Sequence, residues 1–244
     1  MSANTFTVIA HRGASAYAPE NTFAGFDMAL DMGCHHIELD VRLTSDNHVV
    51  VRHNETVDST TNGSGRVDEL LLEDVKKLDA GSWKDARFAG EPIPTLEEVL
   101  GRYRGRAHLH IELKDGHPGL AEKTAKLVQK YQTEGSVTII SFASEMLKTV
   151  GEVAPSLARG WLVRDLDDET IAEAVSMNVA QISPPAKSLT PELIRLLHKK
   201  GLSVRAWSVH LEEDAVHVIK CGADGMTVDW PDRAKALVEN QTTG

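Results

Sequence analysis

The chain has 244 residues, 41% of them hydrophobic and 25% charged, an ordinary soluble globular composition whose length suits a single α/β barrel domain. Its formal net charge of -10 argues against a nucleic-acid partner, which needs a basic face, and offers nothing to anionic membranes. No apolar run approaches membrane-spanning length, and the start MSANTFTVIAHRG lacks the basic and apolar regions of a signal peptide, so a cytoplasmic protein without stable membrane insertion is expected.

Short strand-like runs recur along the chain, each followed by a helical pattern. TVIAH (7–11) opens the series. Phe23, Phe26 and Leu30 then repeat at helical spacing over 20–33, with Gly33 as the stop. HIELDV (36–41) is the second strand, with apolar and charged residues alternating. HVVVRH (48–53) follows too soon for a parallel crossover and must fold back as a hairpin. A two-residue turn at Asp46-Asn47 would set Asp40 opposite His53. Residues 54–94 are polar and glycine-rich, with one helical piece in VDELLLEDVKKL. That is too long for a plain βα loop, so 54–94 is expected as an insertion or lid over the barrel mouth, in one domain spanning 1–244.

Thr95 and Glu98 form a capping box ahead of LEEVLGRY. The remaining strands are HLHIELK (108–114), VTIISF (137–142), LARGWLV (157–163), VAQIS (179–183), SVRAWSV (203–209) and GMTVD (225–229). Helical patterns at 118–132, 143–154, 167–177, 211–221 and 231–239 separate or follow them, and Thr190-Pro191 caps another. Eight strands alternating with eight helices predict a (β/α)8 TIM barrel. No Gly-x-Gly-x-x-Gly follows the first strand, which weakens a dinucleotide-binding alternative. Cys34 and Cys221 sit far apart in apolar segments and are expected as buried thiols.

In such a barrel the polar residues at strand C-terminal ends face the mouth, where chemistry is done. Glu38, Asp40 and Glu112 would converge there, and mutual repulsion would be relieved either by a hard divalent cation, Mg²⁺ or Ca²⁺, or by salt bridges with Arg42, Lys114 or histidine. His11 and Arg12 end the first strand beside Gly13. Arg12 suits phosphate or carboxylate oxygens, and Glu20 is placed to hold its guanidinium. Two histidines meeting an Arg, a Lys and acids supply a proton donor, a proton acceptor and an anion clamp.

The ordered motifs HRG, PENT, IELDV followed by VVVRH, KLDAGSW, EPIPTLEEVL, IELK and GADG resemble those of the glycerophosphodiester phosphodiesterases, soluble bacterial type, over nearly the whole chain. The resemblance implies hydrolysis of a small glycerophosphodiester to sn-glycerol 3-phosphate and an alcohol with one divalent cation. It implies Glu38, Asp40 and Glu112 as metal ligands and His11 and His53 as the acid–base pair. Arg12 and Lys114 would be phosphate contacts, and Trp207 would line the pocket. The chain departs from the pattern at Asn54, where Asp is usual, at His210, where Asn is common, and at Val228, where Thr is common. Asp229 is expected as a helix cap. The remaining histidines, His35, His36, His48, His108, His110, His117, His198 and His217, are expected to be structural or on the surface, with His110 facing inward near Glu112. Lysophospholipase D-type activity, another barrel chemistry such as a two-carboxylate glycosidase, and a non-catalytic binding barrel are the alternatives.

Overall fold

A computed structural model describes residues 6–114 and 117–242. Eight parallel strands close into a barrel: β1 (Thr7–Ala10), β2 (His36–Leu43), β4 (His108–Leu113), β5 (Val137–Ser141), β6 (Ala158–Leu162), β7 (Gln181–Ser183), β8 (Ser203–Ala206) and β9 (Gly225–Val228). β9 pairs with β1 and β1 with β2, so the sheet has no gap. β3 (Val49–Val51) is added antiparallel to β2. The barrel expectation holds, element for element.

The helices that cover the barrel are α1 (Phe23–Asp31), α3 (Leu96–Tyr103), α4 (Leu120–Lys130), α5 (Ser144–Val153), α6 (Asp168–Ser176), α7 (Pro191–Lys199), α8 (Glu212–Cys221) and α9 (Pro231–Thr242). Thr95 and Glu98 cap α3 reciprocally, and Thr190 caps α7 with Pro191 in its first turn. These caps satisfy amide donors that the first helical turn leaves open. Ile37, Leu39 and Val41 point outward from β2 and are fully buried beneath the helices. Burying each such side chain contributes roughly 1.5–3 kcal/mol. Period-two alternation therefore sends His36, Glu38 and Asp40 to the inside of the barrel. Cys34 and Cys221 are buried free thiols.

The hairpin register differs by one residue from the two-residue turn expected at Asp46-Asn47. Val41 pairs with Val51 and Leu43 with Val49, and the Arg52 amide donates to the Asp40 carbonyl at 2.8 Å. Asp40 thus stands opposite Arg52, not His53. The loop is three residues long, closed by the Thr44 amide on the His48 carbonyl at 3.0 Å. Asn47 takes the left-handed conformation (φ 67°) that ends such a turn. Thr44 Oγ donates to Asp46 and accepts the His48 amide, which fixes the longer loop.

VDELLLEDVKKL does not form one helix. A 3-10 turn (Val67–Glu69) is separated by extended Leu70 and Leu71 from the single turn α2 (Leu72–Val75). Val50, Val57, Val67, Val75, Ala80 and Ile93 build a small core of their own, and this packing overrides the local helical spacing. Among the described residues no helix is long and apolar enough to cross a membrane.

Candidate active site

The parallel register of β2 and β4 sets Asp40 beside Glu112 and Glu38 beside His110. Ligand oxygens of Glu38, Asp40 and Glu112 lie within 4.8 Å of one another, and the three residues are 2%, 0% and 8% exposed. Burial and the neighbouring Asp40 push the Glu38 carboxyl up to about 8, and the same two causes raise Glu112. Burial acts on Asp40 in the same direction but is outweighed by Lys114 and Arg12, which hold its carboxyl well below the usual range. Lys114 Nζ sits 2.9 Å from Asp40 and 2.5 Å from Glu112. The predicted salt-bridge relief is thus visible at Asp40. Lysine and arginine neutralise Asp40, yet Glu38 Oε1 is buried with no hydrogen-bond partner. An all-oxygen donor set with one orphaned carboxylate oxygen fits a hard divalent cation.

The turn after β1 brings the cationic groups. Arg12 has φ 54° and Gly13 φ 85°, which aims the Arg12 amide at Glu38 Oε2 (2.9 Å). The Arg12 side chain reaches Glu20 Oε1 at 3.1 Å and Asp40 Oδ2 at 3.3 Å, so Glu20 holds the guanidinium as expected. A Cβ at Gly13 would lie 2.6 Å from the Gly25 backbone. Gly13→Ala is expected to lower Tm by roughly 5–15 °C through a strained left-handed residue and that clash. Calorimetry that found an unchanged Tm would mean the turn can relax. Asn21, in the PENT motif, donates to Asp40 Oδ2 at 2.8 Å and accepts the Asp40 amide at 3.1 Å. It is a supporting residue that the sequence reasoning missed.

His11 and His53 both line the mouth cavity of about 260 Å³ together with Arg12, Glu38, Glu112 and Lys114. Their partners differ. His11 Nδ1–H donates to the Asp229 carboxylate at 2.6 Å, and Ser15 Oγ donates to the same oxygen at 3.0 Å. Burial would lower the His11 pKa, but the Asp229 hydrogen bond and the field of Glu38 outweigh it and raise it. His53 Nδ1 is 2.7 Å from Asn54 Oδ1, a neutral acceptor, and burial leaves its pKa lowered. In each ring Nδ1 is taken up and Nε2 is left for chemistry.

The helix-cap expectation for Asp229 is therefore corrected. Ala10 pairs with Val228 where the barrel closes, which sets the next residues, His11 and Asp229, side by side. Their 218-residue separation hides the dyad from any local reading. The opposite wall of the cavity is apolar, formed by Ile140, Phe142, Leu162, Trp207 and Val209. Trp207 stacks edge-on to Phe142 at 5.2 Å and donates its indole N–H to the Val163 carbonyl. His210 and Val228 also line the cavity, and no lining residue comes from 55–94. His36, His108 and His110, expected to be structural or on the surface, lie together as one cluster where β2 and β4 begin.

The sequence profile of the glycerophosphoryl diester phosphodiesterase family matches residues 11–233. A glycerophosphodiester phosphodiesterase of Caldanaerobacter subterraneus is 43% identical over 95% of this chain and 97% of its own length. The solved glycerophosphodiester phosphodiesterase of Agrobacterium tumefaciens superposes with a TM-score of 0.85 at 33% identity, over 95% of this chain and all of that one. An Oleispira antarctica phosphodiesterase, solved in complex with the product sn-glycerol-3-phosphate, gives a TM-score of 0.88 at 28% identity over 96% of both chains.

Proposed function

The chain belongs to the glycerophosphoryl diester phosphodiesterase family, and on that premise we propose that it hydrolyses small glycerophosphodiesters to sn-glycerol 3-phosphate and an alcohol. The observation that carries this reading is one cavity lined by Glu38 and Glu112 of the buried acid trio together with two imidazoles that have unlike Nδ1 partners. Glu38, Asp40 and Glu112 would hold Mg²⁺ or Ca²⁺, which when bound draws charge from a phosphoryl oxygen. Arg12 and Lys114 add fixed positive charge at the same place, where charge builds as phosphorus becomes five-coordinate. His53, whose pKa is lowered by burial and by the nearby Lys114 and Arg12, and whose Nδ1 is held by Asn54, takes the proton of the nucleophile. His11, kept protonated by Asp229, gives its proton to the departing alkoxide. The apolar wall around Phe142 and Trp207 receives the uncharged part of the substrate, and its small cavity favours deacylated phospholipids over long-chain lysophospholipids.

The test is turnover of glycerophosphocholine, glycerophosphoethanolamine, a lysophosphatidylcholine and bis(p-nitrophenyl) phosphate, with chelator and after return of Mg²⁺ or Ca²⁺. Cleavage of the glycerophosphodiesters is expected, lost with chelator and restored by one of the ions. No turnover of any diester with either ion would remove the reading. Turnover of the lysolipid alone would replace the substrate class.

A further inference from the structure

The inside of the barrel carries a second cluster of ligating groups. His36 begins β2 and His108 begins β4, the two strands pair them in register, and His110 stands one inward-facing position above His108. Nitrogens of the three rings lie within 4.8 Å of one another. The ring centroids are 4.9–5.5 Å apart. His36 Nδ1 is 3.2 Å from His110 Nε2, and His108 Nε2 is 2.9 Å from Thr138 Oγ. We propose that His36, His108 and His110 form a second metal centre, a three-imidazole site for a borderline transition ion such as Zn²⁺ or Co²⁺ at the closed end of the barrel.

Three observations carry it. The donors are all imidazole nitrogens, with no carboxylate among them, which selects Zn²⁺, Co²⁺, Ni²⁺ or Cu²⁺ over the hard ions suited to the mouth. His110 is 1% exposed, and its Nε2 faces the cluster, 3.2 Å from His36 Nδ1; a buried imidazole nitrogen needs a partner, and an ion is one that three converging rings can share. Finally, His36 lines a surface groove of about 460 Å³ bounded by Phe6, Thr7, Gly33 and Lys235, which gives an ion a way in from below.

Arg205 opposes the ion and sharpens the test. Its guanidinium lies 3.1 Å from His110 Nε2, so it donates to the lone pair that a metal would use. The ion must displace that contact, and two positive charges then sit close together. Removing the guanidinium should therefore tighten binding, the reverse of what a site for an anion would do.

The experiment uses untagged full-length protein, stripped with chelator and then saturated with Mg²⁺ to occupy the acid trio. Co²⁺ is titrated and followed by its visible absorption, and Zn²⁺ by calorimetry and by Tm. Wild type is expected to take up one equivalent that excess Mg²⁺ does not displace, and Zn²⁺ should raise its Tm. His108→Leu and His36→Leu should each weaken that equivalent at least 10-fold and lose the Tm rise, while their Mg²⁺-supported turnover of a glycerophosphodiester stays near wild type. Arg205→Met should tighten it. Absence of a Mg²⁺-insensitive equivalent in wild type would overturn the proposal, as would its survival in the His36→Leu/His108→Leu double variant. If an equivalent binds but Arg205→Met weakens it, the arrangement is not a metal centre of this kind.

Discussion

His53→Ala and His11→Ala are each expected to lower kcat toward a glycerophosphodiester by roughly 10²–10⁴-fold, with Tm within a few degrees of wild type. Neither side chain is part of the core; the His11 ring is 34% exposed, so little packing is lost with it. The two variants should separate by leaving group. The ring held by Asp229 is assigned as acid, and a p-nitrophenolate leaves without needing its proton. The His11→Ala deficit should therefore shrink on bis(p-nitrophenyl) phosphate, whereas the His53→Ala deficit should not. Asp229→Asn keeps a hydrogen bond but removes the charge that raises the His11 pKa. An acid must be protonated to act, so activity is lost as pH rises through its pKa. In Asp229→Asn the alkaline fall of kcat/KM should begin at lower pH than in wild type. A deficit in His53→Ala that vanished on the activated ester would exchange the two roles, and near-normal turnover in both alanine variants would remove them.

The strands and helices of the barrel could be read from the sequence because each rests on a local period: alternation in HIELDV and HLHIELK, threefold and fourfold spacing in the helices, and caps at Thr95 and Thr190. The acid trio was legible for the same reason, since an alternating strand in a covered sheet must turn its charges inward. What failed was non-local or a matter of single residues. The hairpin register hung on Asn47 adopting a positive φ and Thr44 bridging the loop, and one residue of slip exchanges the partner of Asp40. The His11–Asp229 pair exists only because β9 closes on β1. The three lower histidines occupy the inward phase of the same two strands as the acids, and alternation in HLHIELK already puts His108 and His110 on the face of Glu112. The leucines of 67–78 gave a helical spacing that the satellite core around Val57 and Ile93 did not respect.

Glu38→Gln is expected to cut activity roughly 10³-fold or more, because a charged ligand to the ion is lost, and yet to make the metal-free protein more stable. Like charges within 4.8 Å repel by roughly 3 kcal/mol at the effective dielectric of a protein interior. Arg12 and Lys114 offset this for Asp40 more than for Glu38, whose carboxyl is pushed up to about 8 by burial and by Asp40. Glutamine stands in for the protonated carboxyl without having to take up the proton, and keeps an oxygen for the Arg12 amide. A gain of about 1–3 kcal/mol at pH 7, or roughly 2–12 °C in Tm, should follow in chelator. The sign with pH is fixed by the raised carboxyl. Its folded form holds a proton that the unfolded chain releases near 4.5, so wild type loses stability as pH rises from about 4.5 to 8. Wild type and variant should therefore converge at pH 5. Saturating Mg²⁺ or Ca²⁺ should reverse their order, since an ion at 100 times its Kd stabilises only the protein that binds it, by about 2.7 kcal/mol. Differential scanning calorimetry at pH 5 and pH 7, with chelator and with each ion, reads all of these. If metal-free Glu38→Gln melts below wild type at pH 7, the acids are a salt-bridge network stabilising the barrel, and the ion has no place among them.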